Sequence, residues 1–486
     1  MSLLETAAWT GQIFTGSWES PSGGTRDVLE PATGAILGTI GLAGTTDVRS
    51  AAQRADAAWR DWAATAYPIR AAVLRRAADV LEQNRDEIIR WLGREAGTTR
   101  ALAAHEVSVG VAECHEAAAL PGAAYGDLLP SAQPRLSAMR RLPIGVVGVI
   151  APFNFPIILS IRAIAPALAL GNAVLLKPDP RTAVSGGVLL AQVFAEAGLP
   201  PGLFQVLPGG ADIGSAIVAD PQVRSVAFTG STRAGREVAS LAGQYLTRVN
   251  LELGGNGALI VLPDADIEAA ASCGAWGSFL HQGQVCMATG RHLVHESVYE
   301  HYVDLLGKRA EQLTVGDAYR EDVALGPLID GGQLGRVHDL VTRSIETGAR
   351  LVSGGTYERL FYRPTVLADC HSDTPAYAEE VFGPVACVRP FRTDAEAAEL
   401  AADSEYRLSL GVLTGNLSRG LALADQVPHG MVHINDQTVN GETNAPFGGF
   451  GASGNGSRVG GARANIEAFT EPQWLTVRPG AAQFPF

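Results

Sequence analysis

Cysteine is scarce in this chain, five in 486 residues, and one of them sits in HQGQVCMATGR, residues 281 to 291. Structural cysteines usually lie inside apolar runs, whereas Cys286 follows Gly283 and Gln284 and precedes Ala288 and Gly290. A thiol in a Gly- and amide-rich turn can be reached by a ligand and polarised by backbone N–H groups. It is a candidate nucleophile, and four other points carry groups that suit one. Asn154, between two prolines in APFNFP, could donate its amide N–H to a developing oxyanion or cap the next helix. Lys177, in LKPDPRT, leaves a strand end where a ribose or phosphate could meet it. In FTGSTRAGR, residues 228 to 236, Gly230 and Gly235 bracket Ser231 and Thr232. Free N–H groups at such a helix start favour an anion, although the pattern also fits a simple N-capped turn. Glu252, in NLELGG, reads as either a paired core acid or a base with a raised pKa. A nucleophile, an oxyanion donor, a dinucleotide turn and a base are what hydride removal from a carbonyl carbon requires.

The elements that must hold these groups show in the sequence pattern. The front of the chain is helical: TDVRSAAQRADAAWRDWAA and IRAAVLRRAADVLEQNRDEIIRWLGREAG place apolar residues at three- and four-residue spacing. From Pro143 the short β-rich runs IGVVGVI, AVLLK, LFQVL and SVAF alternate with helical segments. That alternation predicts a parallel, doubly wound α/β sheet, which binds ligands beyond the carboxyl ends of its strands. A second α/β stretch begins near Gly254, with strands expected in GALIVL, RHLVHE, VACVRPF, LGVLT and MVHIN. Between the first helices and the first sheet, residues 120–142 predict a projecting hairpin. The tail after about Ala452 is expected to pair with it.

Composition narrows the partners. Hydrophobic content of 47% and 18% charged residues describe a soluble globular protein. A net charge of -13 argues against nucleic acid or an anionic membrane as the main partner. The most apolar stretch, residues 143–159, is broken by Pro143, Pro152, Asn154 and Pro156, so it does not read as a membrane helix. No basic, apolar signal segment opens the sequence. Cys114, Cys273, Cys286, Cys370 and Cys387 form no CxxC or Cys/His metal spacing. The expectation is a reduced, cytoplasmic protein with no metal site.

Seven stretches in order resemble the NAD(P)-dependent aldehyde dehydrogenase superfamily: PIGVVGVIAPFNFP, ALALGNAVLLKPD, FTGSTRAGR, LELGGN, QGQVC, EEVFGP and APFGGFGASG. The resemblance spans nearly the whole chain and implies a small-molecule aldehyde as partner and a homodimer or homotetramer. It implies a Rossmann-like cofactor domain (residues 1–119 and 143–253), a second α/β catalytic domain (254–452) and a small β oligomerisation element (120–142 and 453–486). It assigns Cys286 as nucleophile, Asn154 and the Cys286 backbone N–H as oxyanion hole, and Glu252 as general base. Cofactor contacts fall on Ile150, Pro152, Phe153, Lys177, Asp179, Gly209, Phe228, Gly230, Ser231, Gly235, Leu253 and Gly254, with Glu380 and Phe382 at the nicotinamide side. Phe155, Ile158, Arg162, Val285 and Phe447 are expected to line the substrate tunnel.

Two departures bear on specificity. NAD-preferring members commonly carry a glutamate three residues after the lysine, and here that residue is Pro180. NAD is therefore expected to be preferred but NADP tolerated, with Arg181 close by and Asp179 as a substitute ribose ligand. Within the superfamily KPDPRTAVSGG and the N-terminal WTGQIFTGSW most resemble the benzaldehyde and vanillin dehydrogenases. Arg162 raises a competitor, because succinate semialdehyde dehydrogenases carry an arginine eight residues after the loop asparagine. Their second arginine, six residues before the cysteine, is Leu280 here. The reading favours an aromatic aldehyde, with Arg162 structural and paired to an acid away from the tunnel. A retired, non-enzymatic relative is disfavoured because Cys286 and Glu252 are both present.

Overall fold

The computed structural model describes residues 3–123 and 126–486. Val146–Ile150 (β1), Ala173–Lys177 (β2), Phe204–Val206 (β3), Val223–Gly230 (β4) and Arg248–Leu253 (β5) form the parallel body of a seven-stranded sheet. Their order is β5-β4-β1-β2-β3, extended by the short antiparallel strands Ile13–Phe14 and Trp18–Glu19. Strands β1 and β2 are buried at every position, which is why they read as unbroken Val, Ile and Leu runs rather than as alternations. The chain runs from β1 outward through β2 and β3, then returns to place β4 on the other side of β1. That reversal opens a crevice at the carboxyl ends of β1 and β4.

A second seven-stranded sheet is built on Gly257–Val261 (β6), Thr289–His295 (β7), Thr365–Ala368 (β8), Val385–Phe391 (β9), Ser409–Leu413 (β10) and Met431–Ile434 (β11). The order is β8-β9-β7-β6-β10-β11, with Arg350–Ser353 antiparallel on the β8 edge. Only Gly254, Gly255 and Asn256 separate β5 of the first sheet from β6 of the second, so the carboxyl edge of the first sheet meets the amino edge of the second where the chain crosses. All five strands expected in this half are present.

Helix Arg100–Ala119 (α1) packs along Pro156–Ala169 (α2), the helix that follows β1. Helix α2 is buried almost all round, as a helix apolar on every side must be. The expected hairpin is Gly126–Leu128 against Leu136–Pro143, and Thr470–Val477 pairs antiparallel along the whole of the second strand. The tail divides its work, however. Ser453 and Gly454 bond to the edge of β5, and helix Ala462–Phe469 packs on α1 and α2. Only the last strand therefore belongs to the projecting sheet.

Candidate active site

The carboxyl edge of the first sheet aligns the residues expected to meet a cofactor. Ile150 is in register with Lys177 on one side and Phe228 on the other. Pro152 and Phe153 follow β1, and Gly209 precedes helix Ala211–Ala219 (α3). Gly230 ends β4, and Ser231 caps helix Thr232–Tyr245 (α4), its Oγ accepting from the Ala234 N–H at 3.3 Å. Gly235 lies where a Cβ would collide with Leu253, which lets α4 sit tight on β5. Lys177 is buried, and its Nζ has only the Pro178 carbonyl at 3.5 Å. Burial lowers its pKa from the ordinary value. An ammonium with so little satisfied, above a glycine-rich helix start, fits a ribose and pyrophosphate. Across the crevice, Glu380 accepts from the Gly255 N–H at 2.9 Å, and a Cβ on Gly254 would strike its carboxylate. Phe382 meets Phe153 edge to face at 5.8 Å.

Two details differ from the sequence reading. Asp179 is not a free ribose ligand: Arg181 bonds both its oxygens, at 2.7 and 2.9 Å. The Arg181 guanidinium also reaches Asp330 at 2.7 Å and covers the Phe153 ring at 4.3 Å. It is a half-buried clamp between the two halves of the site rather than an open cation. Arg162 does pair with an acid, Glu113 at 2.8 Å, but not away from the tunnel. Its guanidinium stacks over Phe447 at 5.1 Å and forms part of the tunnel wall. The acid comes from α1, whose buried face the sequence reading passed over.

Cys286 lies between helix Ile267–Phe279 (α5) and β7, in the turn that starts the second sheet's parallel strand. It opens onto a tunnel of about 1130 Å³ whose inner wall includes Phe155, Ile158, Arg162, Val285 and Phe447. Asn154, buried at the end of the β1 loop, donates its Nδ2–H to the Gln284 carbonyl at 2.8 Å, two residues before the cysteine. One amide hydrogen is thereby fixed and the other remains to donate. Burial, with Glu380 and Glu252 nearby, pushes the Cys286 thiol up to about 12, and Arg162 pulls the other way.

Glu252, on β5, is buried with no hydrogen-bond partner on either oxygen among the described residues. Burial holds its pKa well above the ordinary carboxylate value, against the pull of Arg458 and Arg162. It faces a separate cavity of about 20 Å³, room for one water. Leu159, Arg162 and Phe447 line this cavity and the tunnel alike, so the two spaces adjoin at these side chains.

The sequence reading missed His281, Glu106 and Glu113. The two acids had a signal: they stand seven apart on α1, among the buried Ala103, Val107, Gly110 and Cys114, so they fall on the apolar face. Glu106 accepts from the Ile157 and Ile158 N–H groups at 2.9 and 3.4 Å, closing the first turn of α2. Among the described residues, no group of three or more His, Cys, Asp or Glu could hold a metal ion. No helix among them is long and apolar enough to cross a membrane.

A thiol in the tunnel, an amide donor beside it and an unpartnered carboxylate in the adjoining cavity suit covalent chemistry on a carbonyl. The Aldehyde dehydrogenase family profile matches residues 18–475, and this chain belongs to that family. It is 59% identical to a vanillin dehydrogenase of Amycolatopsis sp. over 100% of both chains. It is 47% identical to a benzaldehyde dehydrogenase [NAD(+)] of Pseudomonas putida over 99% of each. A salicylaldehyde dehydrogenase from Pseudomonas putida G7, solved with salicylaldehyde, superimposes with a TM-score of 0.94 at 35% identity, covering 98% of this chain and 99% of that one.

Proposed function

We propose that this aldehyde dehydrogenase oxidises benzaldehyde or a ring-substituted relative such as vanillin to the carboxylic acid, with NAD preferred and NADP a slower acceptor. The observation that carries the substrate class is the wall around Cys286. Phe155, Ile158, Val285 and Phe447 offer apolar faces, two of them aromatic, and Arg162 in the same wall already has its carboxylate in Glu113. Aromatic rings pack favourably on such faces, whereas a second carboxylate there would be buried with incomplete pairing at a cost of several kcal/mol. The names of the similar vanillin and benzaldehyde dehydrogenases support the same class.

In the mechanism, Cys286 attacks the aldehyde carbon as thiolate, and the carbonyl electron pair moves to oxygen. The free amide hydrogen of Asn154 and the Cys286 backbone N–H receive that oxyanion. Because burial holds the thiol up to about 12, its proton must leave before the attack, and the tunnel onto which Cys286 opens gives it a way to water. When bound, the nicotinamide cofactor would supply the hydride acceptor, and oxidation of the thiohemiacetal carbon leaves a thioester on Cys286 Sγ. Glu252 then removes a proton from water as its oxygen adds to the acyl carbon. The C–S bond breaks, the acid leaves and the thiol is restored. The small cavity beside Glu252 supports a water in that position.

Residues along the carboxyl edge from Ile150 to Gly254 would hold the cofactor, and Glu380 and Phe382 would flank the nicotinamide ribose. This assigns cofactor binding to the first sheet with its helices and the nucleophile to the second. The exposed apolar side chains of the three-stranded sheet, Leu128, Leu136, Trp474 and Val477, support a homodimer or homotetramer formed through it. Five free cysteines suit a reducing, cytoplasmic compartment.

The test is NADH formation at 340 nm with benzaldehyde and with succinate semialdehyde. We expect kcat/KM at least about 100-fold higher for benzaldehyde, about 2.7 kcal/mol of transition-state binding. A preference for succinate semialdehyde that Arg162→Leu erases would overturn the assignment.

A further inference from the structure

The approach to Cys286 runs through backbone that L residues rarely adopt. His281, Gln282 and Gly283 are consecutive at φ of 52°, 56° and 68°. Each non-glycine residue in that region costs about 1–3 kcal/mol and persists only where its surroundings over-determine it. Side chains supply that determination. Gln282 Nε2 donates to the carbonyls of Gly97 at 3.1 Å and Pro327 at 3.0 Å, and the Ile329 N–H donates to Gln284 Oε1 at 3.1 Å. These bonds anchor the segment to both halves of the molecule, through Gly97 on one side and Pro327 and Ile329 on the other.

His281 does something different. Its Nε2–H donates to the main-chain carbonyl of Asn154 at 2.6 Å, and its ring lies against Phe155 at 4.9 Å. The Asn154 amide returns a bond to Gln284. The segment carrying the thiol and the loop carrying the amide are thus tied by two reciprocal hydrogen bonds, one on the asparagine main chain and one on its side chain. The imidazole is buried, its Nδ1 has no partner among the described residues, and burial drives its pKa down to about 4. A neutral ring in one tautomer, with one bond to make, can set a position but carries no charge to the reaction.

We propose that His281 is a positioning residue for catalysis: it fixes Asn154 so that one amide hydrogen stays on Gln284 and the other is held for the oxyanion formed at Cys286. This rests on the reading of Asn154 as the oxyanion donor. Loss of the brace leaves the donor in place but free to drift, and a displacement near 1 Å at reacting groups costs on the order of 100-fold.

The experiment is a double-mutant cycle in the full-length enzyme. His281→Phe keeps a ring against Phe155 and removes the donor, while His281→Gln keeps an N–H donor of similar reach. Expected for His281→Phe is a kcat lowered about 10- to 100-fold, with NAD affinity and the shape of the pH profile unchanged. His281→Gln should recover most of the loss. In an Asn154→Ala background, His281→Phe should cost little more, because it acts through the residue already removed. Should His281→Phe not fold, His281→Ala carries the same cycle. An Asn154→Ala enzyme with near-normal kcat would overturn the oxyanion reading itself. A damaging Asn154→Ala with an additive or silent His281 substitution, or no recovery with Gln, would overturn the positioning role alone.

Discussion

Glu252 on β5 and Glu106 on α1 are both carboxyls that burial drives upward, yet they are set to different work. Glu106 gives one oxygen to two N–H groups at the start of α2 and touches no cavity named above. Glu252 has both oxygens unpartnered and faces room for one water. A raised pKa therefore does not mark a base by itself. What separates the two is free lone pairs beside a space a reactant can enter, one that shares Arg162 and Phe447 with the tunnel of the thiol.

Replacing each by its amide tests the contrast. Glu252→Gln should still acylate Cys286 but deacylate slowly, giving a pre-steady-state burst of NADH and then turnover lowered by roughly 10²–10⁴. Unchanged steady-state turnover would remove Glu252 from the mechanism. Glu106→Gln should keep activity within about tenfold, since a Gln carbonyl can accept the same N–H groups. Its signature is in stability. The Glu106 pKa is about 8 in the folded chain against 4.5 for the ordinary group, so the folded state holds the proton more tightly. That contribution is complete below about pH 4.5 and is lost as pH rises towards 8. Wild type should accordingly lose roughly 3–4 kcal/mol more than Glu106→Gln between pH 5 and pH 8. Parallel thermal melts of the two proteins would contradict the protonation state inferred for Glu106.

The smallest effect concerns the far end of the cofactor crevice. With Pro180 at the turn after Lys177 and Asp179 bound by Arg181, no free carboxylate among these turn residues is left to repel a 2′-phosphate. Pro180→Glu should raise the NAD-over-NADP ratio of kcat/KM by about tenfold, near 1.4 kcal/mol. An unmoved ratio would place cofactor choice outside this turn.

The first sheet was legible because β1, β2 and β4 are buried apolar runs separated by helices, and the second because its strands are β-branched and bounded by turns. Cys286, Asn154 and Glu252 stood out in the sequence because each departs from its neighbours in chemistry, while the roles proposed for them came from the family resemblance. Arg162 was half legible: its pairing with an acid was expected, but the acid, seven residues after Glu106 on the buried face of α1, was passed over. His281 was not legible. Its role depends on a left-handed backbone held by contacts to Asn154, Gly97 and Pro327, and single-chain periodicity carries no trace of such contacts.

The strand Leu136–Pro143 has a consequence for how the protein is made. Its partner Thr470–Val477 comes from late in the sequence, Thr470 standing 329 positions after Arg141. During synthesis at about 5–20 residues per second, that edge would stay open for roughly 15–65 s. Over that interval it presents unpaired N–H and C=O groups beside the exposed Leu128 and Leu136, a template for pairing with another chain. Arg140 and Arg141 sit on that strand, and their like charges discourage two unfinished copies from joining there before the tail arrives.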